Sequence, residues 1–144
     1  MKPYYSLFSI RALCTFSFFC FWLTLYSQQD QNLSFVFLDP LEFSIQLKFF
    51  ENEVLIDVRT YEEFRVERIK NAILARDREE LSNITDTLDL EQPLFVYCEE
   101  ESRSTTVGSI LFEQGFKQVV LLKGGVSGWR HEGFAVDTSR ISKW

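Results

Sequence analysis

Histidine and unspent cysteine are what this chain has least of. Its single histidine is His131, and of its three cysteines Cys14 and Cys20 lie near the N-terminus, leaving Cys98 alone in the remainder. A cysteine protease needs an imidazole oriented at its thiol. His131 sits in Arg130-His131-Glu132-Gly133, read as an exposed helix end, so that chemistry is not expected. A lone cysteine cannot form an internal disulfide, so Cys98 is either an inert buried thiol or a reactive one. Basic side chains are outnumbered, 15 to 21, giving a net charge of −6. That balance argues against partners such as nucleic acid or an anionic membrane surface. Internal repeats and low-complexity segments are absent, and 144 residues hold one domain more comfortably than two.

Long hydrophobic runs are also missing. Residues 12–26 form an unbroken apolar or small stretch rich in phenylalanine, preceded by Lys2 and Arg11 as the only charges before Ser27. Fifteen such residues fall short of the roughly 18–20 needed to cross a bilayer. They fit the hydrophobic region of an export signal, with Ser27 as a small residue at the cut. The expectation is a signal peptide over residues 1–27, a short linker over 28–34 and a folded domain over 35–144. The protein is then exported, periplasmic or secreted; the alternative is membrane anchoring by residues 4–26. Neither Cys14 nor Cys20 has the small preceding neighbours of a lipid-modified cysteine. Removing residues 1–27 takes away Lys2 and Arg11 only, moving the net charge from −6 to −8.

Five strand-length apolar runs follow, at residues 35–38, 54–56, 72–75, 94–97 and 119–122. Most are continuous rather than alternating, as in strands buried on both faces of a parallel sheet. Helix starts lie between them. Asp39-Pro40-Leu41-Glu42 offers an N-cap with proline at the first helical position. Thr60-Tyr61-Glu62-Glu63 and Asp77-Arg78-Glu79-Glu80 have capping-box spacing. Val107, Ile110 and Leu111 share one helical face, which Gly115 is placed to end. Strands alternating with helices predict an α/β fold, a parallel sheet with helices on both faces.

Leu94-Phe95-Val96-Tyr97 delivers Cys98 to the carboxyl end of a buried strand, where ligands of open α/β sheets bind. Glu99-Glu100-Glu101-Ser102-Arg103-Ser104 then turns into a helix. A helix N-terminus favours an anion, and a thiolate is one. These residues carry a resemblance. Val54-Leu55-Ile56-Asp57-Val58-Arg59, Glu63-Phe64, Val96-Tyr97-Cys98, Arg103-Ser104, Gly115-Phe116 and Leu122-Lys123-Gly124-Gly125 with Trp129 resemble, in order and spacing, the signatures of the rhodanese-like family.

The resemblance implies a five-stranded rhodanese-like domain and a single-domain sulfurtransferase moving sulfane sulfur through a persulfide. Cys98 matches the sulfur-carrying nucleophile, and Glu99, Glu100, Glu101, Ser102, Arg103 and Ser104 match the loop that cradles the sulfur. Asp57 and Arg59 match positions that support the site; for Arg59 and Glu63 a plain surface ion pair is an equal reading. The implied partners are a small sulfur donor or protein persulfide and a thiol acceptor, with no cofactor or metal. Two other functions use the same pattern. A non-catalytic binding module needs no reactive thiol. A cysteine phosphatase of this fold has five residues between cysteine and arginine, whereas Cys98 and Arg103 enclose four.

The loop departs from the family pattern where Glu101 replaces a glycine and where Glu99 stands near a usually cationic position. The first departure suggests an altered loop shape. The second suggests three glutamates, solvated rather than turned inward, that repel an anionic donor, with Arg103 folded over the loop as a counterweight. On that expectation thiosulfate is a poor donor, and Glu→Gln changes in the loop speed the reaction. Glu67-Arg68-Ile69-Lys70-Asn71-Ala72 replaces a glycine-rich turn, which predicts local rearrangement.

Overall fold

A computed structural model describes residues 35–140, so the readings of residues 1–27 and 28–34 lie outside the described residues. Ten elements alternate among the described residues: β1 (Val36–Leu38), α1 (Pro40–Phe49), β2 (Val54–Asp57), α2 (Tyr61–Val66), β3 (Ile73–Leu74), α3 (Arg78–Thr85), β4 (Leu94–Tyr97), α4 (Ser102–Glu113), β5 (Val119–Leu122) and α5 (Gly125–His131). The strands form one parallel sheet in the order β1-β5-β4-β2-β3.

The capping signals fold largely as read. Asp39 accepts the Glu42 N–H at 3.0 Å, with Pro40 opening α1. At α2 the capping box closes in both directions between Thr60 and Glu63. At α3 only half of it forms. Asp77 accepts the Glu80 N–H, but the Glu80 carboxylate takes the Arg76 N–H instead of that of Asp77. Helix α4 ends at Gly115, whose φ of +97° lets Gly115 N–H and Phe116 N–H bond back to Phe112 and Leu111.

Side chains alternate across the sheet and divide the core in two. Leu94, Val96 and Cys98 face α3 and α4, together with Leu81, Leu111, Val119 and Leu121. Phe95 and Tyr97 face α1 and α5, together with Phe43, Val120, Leu122 and Trp129. Helices therefore cover both faces, as the sequence predicts. The outer strands are shorter than their apolar runs: β3 keeps two residues, and Val36 and Phe37 of β1 remain exposed.

Strand order positions the site. The chain leaves β2 toward β3 at one edge and leaves β4 toward β5 on the other side. A crevice therefore opens beyond the carboxyl ends of β2 and β4, the topological switch point of the sheet. Cys98 follows β4 there, and Val58-Arg59 follows β2.

Candidate active site

Cys98 directly follows β4 as a free thiol, 1% exposed, with its Sγ 3.5 Å from the Ser104 Oγ. Ser104 also donates to the Glu101 carbonyl at 2.9 Å. The thiol thus lies beneath a loop that turns directly into α4. No side chain caps α4, and the N–H groups of Ser102, Arg103 and Ser104 have no partner within the helix. Such a terminus stabilises an anion held against it.

From below, the loop rests on α5. Val126 N–H donates to the Cys98 carbonyl at 2.9 Å and Ser127 N–H to the Glu99 carbonyl at 3.0 Å. Helix α5 starts from two left-handed residues, Gly124 and Gly125, at φ +71° and +57°. A Cβ on Gly125 would lie 2.3, 2.5 and 2.6 Å from the carbonyl oxygens of Glu100, Glu99 and Cys98, closer than any side chain tolerates. Only glycine lets α5 approach the loop so closely.

The glutamates differ from expectation. Glu99 is only partly solvated: its carboxylate accepts from Arg59 at 3.1 Å, Arg130 at 2.5 Å and Ser127 at 2.9 Å. Burial pushes its pKa up, but the three hydrogen bonds outweigh this and hold it below the usual carboxylate range. The Glu101 carboxylate accepts the Gly124 N–H at 2.6 Å, so it tethers the loop to the start of α5. Glu101 adopts φ −149°, outside the left-handed region that favours glycine. Of the three, only Glu100 is exposed, the other two being half-buried.

Arg103 is not a free counterweight to the loop's glutamates, because its guanidinium makes a two-pronged ion pair with Glu63, at 2.8 and 2.9 Å. That pair holds the Glu63 carboxyl down at about 2, against the burial that raises it. Arg103 still borders two cavities beside the crevice. One, about 360 Å³, is lined by Arg59, Arg76 and Arg103; the other, about 250 Å³, has an apolar wall of Val58, Leu81, Val107 and Ile110.

Asp57 and Arg59 form a buried support, and Arg59, for which a surface pair was an equal reading, is not at the surface. Both are nearly inaccessible and joined by side-chain bonds of 2.8–3.1 Å. Arg59 also donates to Glu99 and to the Glu67 carbonyl, which ties the end of β2 to the loop after β4. Its guanidinium lies 5.6 Å from the centre of the buried Tyr97 ring. Burial and then the Asp57 charge push the Tyr97 phenol up, so it stays neutral and accepts the Ile69 N–H at 3.1 Å.

Ser127 and Arg130, which hold Glu99, were not picked out from the sequence; both lie about thirty positions downstream of their partner. The 67–72 segment forms a turn held by its own backbone bonds. Arg68 and Asp137 form an antiparallel bridge, and Asn71 takes a φ of +68°, one that asparagine tolerates, in a turn closed by Ala72 N–H to the Ile69 carbonyl. His131 is exposed at the end of α5, and no cluster of metal-ligating side chains occurs among the described residues.

Together these features define an α/β domain with one recessed cysteine under an uncapped helix N-terminus at a switch point. The rhodanese-like domain profile matches residues 45–132. The chain belongs to the rhodanese-like family. It is 33% identical over 89 residues to the thiosulfate sulfurtransferase GlpE of Actinobacillus succinogenes, covering 62% of this chain and 79% of that one. With GlpE of Coxiella burnetii it shares 38% over 77 residues, covering 54% and 71%. Among solved structures it resembles the polysulfide-sulfur transferase homodimer of Wolinella succinogenes, at 26% identity and a TM-score of 0.62, over 79% and 88% of the two chains.

Proposed function

We propose that Cys98 carries sulfane sulfur as a persulfide, making this domain a rhodanese-type sulfurtransferase. The observation that carries the reading is the free thiol seated under the uncapped start of α4. The Cys98 thiolate attacks the outer sulfur of a donor; that sulfur's bond to the rest of the donor breaks, and the electron pair leaves with the donor remnant. For thiosulfate, the donor named for the two GlpE relatives, the remnant is sulfite. The resulting Cys98 persulfide is an anion, and the free N–H groups of Ser102, Arg103 and Ser104 suit its terminal sulfur. An acceptor thiolate then attacks that sulfur and Cys98 leaves as thiolate. Exchange at sulfur depends on thiolate fraction and leaving group rather than on a dedicated base, consistent with the absence of histidine near Cys98. The polysulfide-sulfur transferase relative favours a polysulfide or a protein persulfide as a second donor class.

In this reading residues 1–27 export the domain, or residues 4–26 retain it at a membrane; the N-terminus of the mature protein distinguishes the two. The central test is Cys98→Ser, assayed for transfer from thiosulfate and from polysulfide to cyanide and to a thiol. Activity falls to background with both donors while the circular dichroism spectrum is unchanged. A serine variant that keeps most of the activity excludes the persulfide route.

A further inference from the structure

A cavity of about 510 Å³, larger than either beside Arg103, opens on the face of the sheet covered by α1 and α5. Its volume is in the range of small-molecule sites. Leu55, Ile69, Trp129 and Phe134 give it an apolar floor, with the Trp129 and Phe134 rings 4.6 Å apart. Lys48 and Lys70 stand at its mouth, exposed and without an ion-pair partner among the described residues. Glu53 also borders it, more than 4 Å from either ammonium, so the mouth keeps a surplus of positive charge.

Ser44 adds an independent observation. It lines the same cavity at 6% exposure and makes no hydrogen bond. Thr85, Thr105, Thr106 and Ser109 all bond back to the carbonyl four residues earlier in their helices. Ser44 does not, so its hydroxyl is left to the cavity. Lys48 is one turn further along α1 on the same face. The Ser44 oxygen reaches solvent through the cavity, so a ligand oxygen there would take the place of water as its hydrogen-bond acceptor.

We propose that this cavity binds an organic anion with an apolar body, such as an acyl or aromatic carboxylate. The body rests on Leu55, Ile69, Trp129 and Phe134. The carboxylate accepts from the Ser44 hydroxyl and lies between the ammonium groups of Lys48 and Lys70. None of these residues belongs to the Cys98 site, so the proposal stands whether or not sulfur transfer does.

The test is titration of the ¹⁵N-labelled chain with decanoate, and separately with decan-1-ol, followed by NMR. The reporters are the amides of Ser44, Ile69 and Phe134 and the Trp129 indole N–H, which donates to the Ala135 carbonyl. Decanoate is expected to shift these signals saturably, and Cys98→Ser to leave that binding unchanged. Decan-1-ol should bind at least about tenfold more weakly, and Lys48→Gln with Lys70→Gln should weaken decanoate by about tenfold or more. Ser44→Ala should weaken it several-fold without changing the spectrum of the free protein. Absence of saturable shifts at these residues, or equal binding of acid and alcohol, overturns the proposal. So does an unchanged dissociation constant in the double lysine variant, whose two surface substitutions leave the fold intact.

Discussion

Arg59 is the residue whose loss the account predicts to be most costly. Its guanidinium is buried, and removing it leaves the Asp57 carboxylate buried without a counter-charge. Breaking such a pair costs about 3–5 kcal/mol. Arg59→Met should therefore lower the unfolding free energy by that amount in urea, and a loss below about 1 kcal/mol would show that Asp57 finds another partner. Gly125→Ala should abolish sulfur transfer, because its Cβ would displace the carbonyls of Cys98, Glu99 and Glu100. Cys98 itself was legible in the sequence, since the strand before it and the helix after it are local signals. The glutamates were not. Whether Glu99 points to solvent depends on Arg130, and Glu101 on the N–H of Gly124, 23 positions away. Charge counted along the loop therefore misjudged its field.

Among the elements, α2 and α4 are joined across the crevice mouth by Glu63 and Arg103. An unfolded glutamate titrates near about 4.3, whereas Glu63 in the fold is held at about 2. A depressed carboxyl stabilises the fold fully above the unfolded value, and that contribution disappears as pH falls through the folded one. Both partners are about one-third exposed, so the pair is worth less than about 1 kcal/mol. Denaturation of the native chain and Glu63→Gln should differ by that small amount at pH 6 and converge toward pH 2. A difference that persists at pH 2 would contradict the ion-pair assignment. The elements were largely readable because caps and apolar runs are local. The edge strands were not, since β1 and β3 pair on one side only and the sheet shortens where the second neighbour is lacking.

For the whole molecule, the balance of charge governs approach to the site. A chain of net charge −6 repels a dianion such as thiosulfate, and salt screens that repulsion over about 8–10 Å. The thiosulfate rate should rise with ionic strength. Within the loop, Glu100→Gln should raise it slightly, whereas Glu99→Gln should lower it by loosening Arg59 and Arg130. Acceleration by both substitutions would restore the picture of three repelling glutamates. The account as a whole rests on sulfur bound to Cys98. Mass spectrometry of the protein after incubation with thiosulfate and removal of the donor tests this most directly. The account predicts one added sulfur atom on the peptide carrying Cys98, lost on treatment with cyanide. An unmodified Cys98 peptide, or an adduct of similar mass that cyanide leaves in place, as a sulfinic acid would be, contradicts it.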